Sequence, residues 1–230
     1  MTANVLAGVR AAIIDLDGTM LDTVPDFHAA LNGMLADLDL PPISQERIAL
    51  LVGKGSEHLI RSVLAFATDE ERVEALFPAA MEDYQRHYLA INGQHAALYP
   101  DVAAGLAAMA AQGLRLACVT NKPVAFAVPL LEQKGLRDYF EIVYGGDSLP
   151  RKKPDPMPLL QVCTDFGLAP RQVVAIGDSS NDAQAARAAG CPVLTVPYGY
   201  NHGHSIHETD SDGIVDTLLV AAGLIQSANG

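Results

Sequence analysis

Short apolar runs punctuate this chain at Ala11 to Leu16, Leu114 to Val119, Glu141 to Tyr144, Val173 to Ile176 and Val193 to Val196, each followed by turn-rich or helix-like sequence. Runs of this length between turn residues predict buried strands, and their alternation with helical segments predicts a parallel sheet covered by helices. The stretch between the first run and the rest has a different period. From Asp22 to about His95 apolar residues recur at helical spacing, as in Phe27, Leu31, Met34, Leu35 and Leu38, then Leu59, Ile60, Val63, Leu64 and Phe66. The prediction is an α/β core made of residues 1–21 and 96–230, with a helical cap of residues 22–95 inserted after the first strand. Tyr99-Pro100-Asp101 reads as the turn back into the core, and Gly113 and Gly135 sit where helices end. The alanine-rich segment Ala103 to Ala111 is expected to be a helix lying close against the sheet.

Composition narrows the partners. Half of the 230 residues are hydrophobic, enough for one good core and a smaller unit. A formal net charge of -12 argues against nucleic acid as a partner, since binding its backbone needs clustered Lys and Arg. Any phosphate handled here is therefore small, met by a metal ion and one or two chosen lysines. The three cysteines, Cys118, Cys163 and Cys191, are widely spaced and read as reduced core residues, not a disulfide or zinc framework. No apolar window reaches the roughly 18 residues of a membrane span. The expectation is a cytoplasmic monomer or homodimer that binds neither membrane nor nucleic acid.

Chemistry concentrates where the apolar runs stop. After Ile13-Ile14 comes Asp15-Leu16-Asp17-Gly18-Thr19, and side chains two apart on a strand share a face, so Asp15 and Asp17 should project together. One carboxylate that attacks and one that moves a proton would explain the pair, although an acidic strand-end turn is the plainer reading of the motif alone. Val119 leads into Thr120-Asn121-Lys122-Pro123, where the Thr120 hydroxyl and the start of a helix near Pro123 could hold phosphate oxygens; a simple helix start looks the same. Lys152-Lys153-Pro154 follows Gly145-Gly146-Asp147, and a lysine there could neutralise carboxylates and a transferring phosphoryl group, or be a solvated turn. Gly177-Asp178-Ser179-Ser180-Asn181-Asp182 follows Val173 to Ile176 and supplies two more acids. Oxygen ligands alone select Mg²⁺, with Asp178 as ligand and Asp182 behind it orienting water or Lys153; the bland alternative is that both acids cap a helix.

Taken together, Asp15-x-Asp17-Gly18-Thr19, Thr120, Lys153 and Gly177-Asp178 through Asp182 resemble the four motifs of the haloacid dehalogenase-like superfamily. That resemblance implies a Rossmann-like parallel sheet with an inserted α-helical cap. It implies Asp15 as the nucleophile of an aspartyl-phosphate, Asp17 as general acid and then base, Thr120 and Lys153 on the phosphoryl group, and Mg²⁺ on Asp15, the main-chain carbonyl of Asp17 and Asp178, with Asp182 in support. The second aspartate favours phosphate over halide chemistry. Within the superfamily, Val119 to Pro123, Gly145-Gly146-Asp147, Lys152-Lys153-Pro154, Ala188 to Pro192 and Tyr198-Gly199-Tyr200-Asn201 look like the bacterial phosphoglycolate phosphatase family. Leu51-Val52-Gly53-Lys54-Gly55 resembles that family's cap turn, with lysine in place of a neutral polar residue.

The expected activity is Mg²⁺-dependent hydrolysis of a small phosphate monoester, 2-phosphoglycolate first, with a sugar or amino-sugar phosphate as the alternative and a catalytically silent phosphate-binding module behind both. Asn121 and Lys54 are the expected substrate-binding residues; Lys54 between two glycines is either an exposed turn residue of the cap or a cation that swings over the core to meet a distal anionic group. Gly53-Lys54-Gly55-Ser56 lacks the earlier glycine of a P-loop. His202, His204 and His207 lie in an irregular loop and read as solvated.

Overall fold

The computed structural model describes residues 2–229. In chain order the elements are α1 (Thr2–Val5), β1 (Ala11–Ile14), β2 (Leu21–Asp22), α2 (Val24–Asp37), α3 (Gln45–Ala49), α4 (Ser56–Ala67), α5 (Glu70–Ile91), β3 (Ala97–Leu98), α6 (Val102–Ala111), β4 (Arg115–Val119), α7 (Val124–Gln133), β5 (Ile142–Tyr144), α8 (Met157–Phe166), β6 (Val173–Gly177), α9 (Ser180–Ala189), β7 (Val193–Thr195), β8 (Gly213–Ile214) and α10 (Leu218–Asn229). Six strands form one parallel sheet in the order β5-β4-β1-β6-β7-β8. β1 lies in its middle, with Ile14 opposite both Cys118 and Ile176.

The strands are short and apolar because both faces are covered. Ala12 and Ile14 point into a layer with Leu106, Met109, Leu130 and Leu218, whereas Ala11 and Ile13 point the other way toward Leu159, Val162, Phe166 and Ala186. This is the period-two alternation of a strand buried on both sides. Parallel strands put all their C-terminal ends on one edge, so the loops after β1, β4, β5 and β6 converge there, where open α/β sheets bind ligands.

Helices α2 to α5 carry a second apolar cluster of their own, built from Phe27, Leu31, Met34, Leu35, Ile48, Ile60, Val63, Tyr84 and Tyr88 and closed by Phe126 of α7. The chain leaves and re-enters the sheet unit through β2 and β3, an antiparallel pair with Leu21 opposite Leu98. Asp26 of α2 fastens the return by accepting the backbone N–H groups of Gly93 and His95 at 2.7 and 2.8 Å.

Three readings of the sequence need correction. Most alanines of α6 face solvent: Ala103, Ala104, Ala107 and Ala110 are exposed while Ala108 is half-buried against the core, and the close contact is Gly105 against Leu218 of α10, where a Cβ would come within 2.6 Å of the Leu218 side chain. Phe66 is at the margin of the α4 stripe, 55 % exposed, with the Arg47 guanidinium over its ring at 4.8 Å. β2, β3 and β8 were not predicted, because two residues are too few to show a period. The cysteines are free and buried. Among the described residues, no helix is long and apolar enough to cross a membrane.

Candidate active site

β1 ends one residue before Asp15, so its carboxylate stands at the centre of the sheet's C-terminal edge, and Asp17 follows in the turn. Lys153, from the loop before α8, reaches under Asp15. Its ammonium donates to Asp15 Oδ1 at 2.8 Å, Asp182 Oδ1 at 2.6 Å and the Val119 carbonyl at 2.7 Å. Three acceptors use all three N–H donors of the ammonium, so Lys153 is held rigidly. Burial alone would push its pKa down, but Asp15 and Asp182 reverse this and hold it above the usual lysine range.

Asp182 performs two tasks. Its Oδ2 accepts the N–H and hydroxyl of Ser179 at 3.2 and 2.7 Å, capping α9, while Oδ1 faces Lys153. The capping reading and the site reading are therefore both satisfied by one carboxylate. Asp178 caps nothing. It accepts the Thr19 hydroxyl at 3.1 Å and the Tyr200 N–H at 2.5 Å and, among the described residues, has no cationic partner. Gly18, at φ +86°, lets the turn after Asp17 pass Asp178 so closely that a Cβ would collide with its carboxylate.

Carboxylate oxygens of Asp15, Asp178 and Asp182 lie within 4.8 Å of one another. Burial raises the Asp15 carboxyl to about 7 despite Lys153, with Asp182 and Asp17 adding to the rise. Burial, then Asp15 and Asp182, raise Asp178 well above the usual carboxylate range. Crowded, buried oxygen acids with one lysine between them hold less positive charge than their ionised forms require. The donor set is all oxygen, and a hard divalent cation fits it.

Across the cavity lies a different surface. Phe27, Val52, Gly53, Gly55, Ser56 and Leu59 of the helical unit line it opposite Asp15, Asp17, Thr120, Asn121, Lys122, Lys153 and Asp178. The Gly53 carbonyl is tied down by the side-chain amides of Asn121 at 2.9 Å and Asn181 at 3.2 Å. Lys122, buried, joins the two surfaces: its ammonium is 3.0 Å from Asp17 Oδ1 and sits over the rings of Phe27 and Tyr88, 4.4 and 4.7 Å from their centroids.

The fold thus brings Asp15, Asp17, Thr120, Asn121, Lys153, Asp178 and Asp182 to one cavity and leaves Lys54 out of it. Lys54 is exposed and lines an outer cleft with His58, Arg61 and Lys152, a cleft that meets the cavity only at Lys153 and Asn181. Arg61 is itself engaged by Glu57 and Glu74. Asn121 gives its amide hydrogens to the Gly53 and Lys153 carbonyls, so it braces the loops. The start of α7 meets an anion of the protein itself, with Val124 N–H donating to Asp147 at 2.8 Å. Thr120 Oγ1 accepts the Lys122 N–H, leaving its hydroxyl proton for the cavity. His204 and His207 are exposed, but His202 is not solvated: it packs beside Gly53 and contacts Asn181 at 3.2 Å, and burial, Lys54 and His58 push its pKa down.

Nothing local in the sequence marks Lys122, Asn181 and Tyr200 as residues of the site. Tyr200 accepts the N–H groups of Thr23 and Val24, hydrogen-bonds Asp22 through its hydroxyl and holds Asp178 through its backbone. Its place in Tyr198-Gly199-Tyr200-Asn201, one helix and one strand after Asp178 in the chain, carries no local sign of those contacts.

The strand order, the insertion after β1 and the acids at the tips of β1 and β6 define a haloacid dehalogenase-like hydrolase, and residues 12–196 match the model of that family. The chain belongs to the haloacid dehalogenase-like hydrolase family. It is 48 % identical over 220 residues to a phosphoglycolate phosphatase of Thiobacillus denitrificans, covering 96 % of this chain and 97 % of that protein. It is 49 % identical over 221 residues to one from Nitrosospira multiformis, again over 96 % and 97 % of the two chains. A crystal structure described as a predicted phosphoglycolate phosphatase from Haemophilus somnus superposes with a TM-score of 0.91 at 33 % identity, over 95 % of this chain and 98 % of that one.

Proposed function

We propose that this protein is a Mg²⁺-dependent phosphatase that hydrolyses 2-phosphoglycolate through an aspartyl-phosphate on Asp15. The carrying observation is the gathering of Asp15, Asp17, Thr120, Lys153 and Asp178 around one cavity roofed by apolar helices. The phosphoglycolate phosphatase relatives that match nearly end to end support the substrate.

An Asp15 carboxylate oxygen attacks phosphorus while the ester P–O bond breaks, and the departing glycolate oxygen takes a proton from Asp17. Water then attacks the acyl-phosphate, gives its proton back to Asp17 and releases inorganic phosphate, which regenerates Asp15. Lys153, fixed by three acceptors, holds positive charge beside the attacking oxygen without having to reorganise. The Thr120 hydroxyl donates to a phosphoryl oxygen. Mg²⁺ would be held by Asp15, Asp178 and the main-chain carbonyl of Asp17, and would supply positive charge against the carboxylates and the phosphoryl group. Asp182 acts through Lys153. Helices α2 to α5 form a cap over residues 22–95 that excludes water once the Gly53 loop is clamped.

A panel of phosphate monoesters assayed with Mg²⁺ tests this reading. The highest kcat/KM is expected for 2-phosphoglycolate, with sugar and amino-sugar phosphates well below it. Preference for a sugar phosphate would overturn the substrate, and no hydrolysis of any ester would leave only a phosphate-binding module.

A further inference from the structure

Two cationic side chains line the cavity, Lys122 and Lys153. They are in opposite states. Lys153 has spent its three donors on Asp15, Asp182 and the Val119 carbonyl. Among the described residues, the Lys122 ammonium gives hydrogen bonds only to the Asp17 carboxylate, at 3.0 and 3.4 Å, and otherwise faces the rings of Phe27 and Tyr88. An ammonium carries three donors, so Lys122 keeps capacity for a second anion. It is nevertheless buried, its side chain only 2 % exposed, where water cannot take up that capacity freely.

Its backbone leaves little freedom. The Lys122 N–H donates to Thr120 Oγ1 at 3.1 Å and its carbonyl accepts from Gly146 at 2.8 Å, and a Cβ on Gly146 would collide with the neighbouring Asn121 carbonyl. The ammonium is therefore placed by both units, core below and aromatic rings above.

From this geometry we infer that Lys122 is the specificity residue that receives the substrate's carboxylate. The inference rests on the phosphoglycolate reading above. Asp17 must reach the leaving oxygen to protonate it, and in phosphoglycolate the carboxylate carbon is two covalent bonds from that oxygen. The cation beside Asp17 is then the cation beside the carboxylate. A charge-assisted hydrogen bond formed there, shielded by two aromatic faces, is stronger than one at an exposed turn. Lys54 does not compete for this role, since it is exposed and lines the outer cleft. Because Phe27 belongs to α2 and Tyr88 to α5, the same lysine makes carboxylate binding depend on the cap being seated.

The test compares 2-phosphoglycolate with 2-hydroxyethyl phosphate, which keeps the ester and replaces the carboxylate by a hydroxymethyl group. Lys122→Met and Lys122→Gln are expected to slow both esters, through Asp17, but to lower the wild-type preference for phosphoglycolate by roughly tenfold to a hundredfold, with KM for phosphoglycolate rising most. Lys122→Gln keeps a hydrogen-bond donor, so it serves if the methionine variant does not fold. Lys54→Ala is expected to leave the preference unchanged. Equal losses on both esters in the lysine-122 variants, or a collapse of the preference in Lys54→Ala, would overturn the assignment. A wild-type enzyme with no preference between the esters would instead overturn the phosphoglycolate reading itself.

Discussion

The floor and the roof of the cavity are built on opposite principles. The floor, at the tips of β1, β4 and β6, crowds four aspartates together: Lys153 sits between Asp15 and Asp182, Lys122 faces Asp17, and Asp178 is held by the Thr19 hydroxyl and the Tyr200 N–H. The roof offers Phe27, Val52, Leu59 and glycine backbone, with no ionisable side chain among its lining residues. Buried like charges are costly, and the floor tolerates them only because the sheet is a rigid base on which partners can be fixed to within tenths of an ångström. A roof without charge adds no such cost and can shut water out. The contrast teaches that reactivity is held by the sheet, while selection belongs to what stands between the two surfaces, Lys122 above all.

The sharpest way to break this division is to disarm the floor and leave the roof alone. Asp15→Asn is expected to remove turnover by a factor on the order of 10⁶, because an amide neither attacks phosphorus nor carries the negative charge, while thermal melting still shows a folded chain. Substantial activity in the folded variant would take the nucleophile away from the floor. Asp17→Asn comes next, with a loss of about 10² to 10⁴ on phosphoglycolate. A nitrophenyl phosphate, whose leaving group needs no proton, should recover the first step but not the second. Single-turnover phosphorylation reads this directly, and equal losses on both esters would contradict the acid role.

A smaller effect sharpens the electrostatic side of the comparison. Burial raises Asp15 to about 7 and Asp178 well above the carboxylate range, so the folded chain holds protons there that the unfolded chain releases from about pH 4 upward. With the folded pKa above the unfolded one, the Asp15 contribution favours the fold at low pH and is lost as pH rises through about 7, and the Asp178 contribution has the same sign. In EDTA, Asp178→Asn is therefore expected to gain melting temperature relative to wild type as pH is raised, by several degrees at roughly 2–4 °C per kcal/mol for a chain of this size. Mg²⁺ should raise the wild type and hardly move the variant. A wild-type-minus-variant difference that ignores both pH and Mg²⁺ would mean the floor carries no uncompensated charge.

Local pattern in the sequence was enough for the sheet, its parallel order of strand and helix, and the helical insertion, because strand and helix periods are set by neighbours within a few residues. It was also enough to put Asp15, Asp17, Thr120, Lys153 and Asp178 at strand ends and in the loops beside them, since an apolar run that stops at a polar turn is visible without any tertiary contact. Tertiary structure alone decided what meets across the cavity. Lys54, conspicuous between two glycines, faces outward, whereas Lys122, one of four residues in an ordinary helix start, lies between Asp17 and two rings that are 95 and 34 residues away from it in the chain as Phe27 and Tyr88. The alanines of α6 and the ring of Phe66 were misread for the same reason: a period says which residues share a face, not which neighbour will cover it. Asp182 could be a helix cap or a partner of Lys153 on local evidence, and only the approach of the loop before α8 made it both. Contacts of this kind depend on where separately folded surfaces come to rest, and that is a balance of packing over the whole molecule that no short stretch of sequence records.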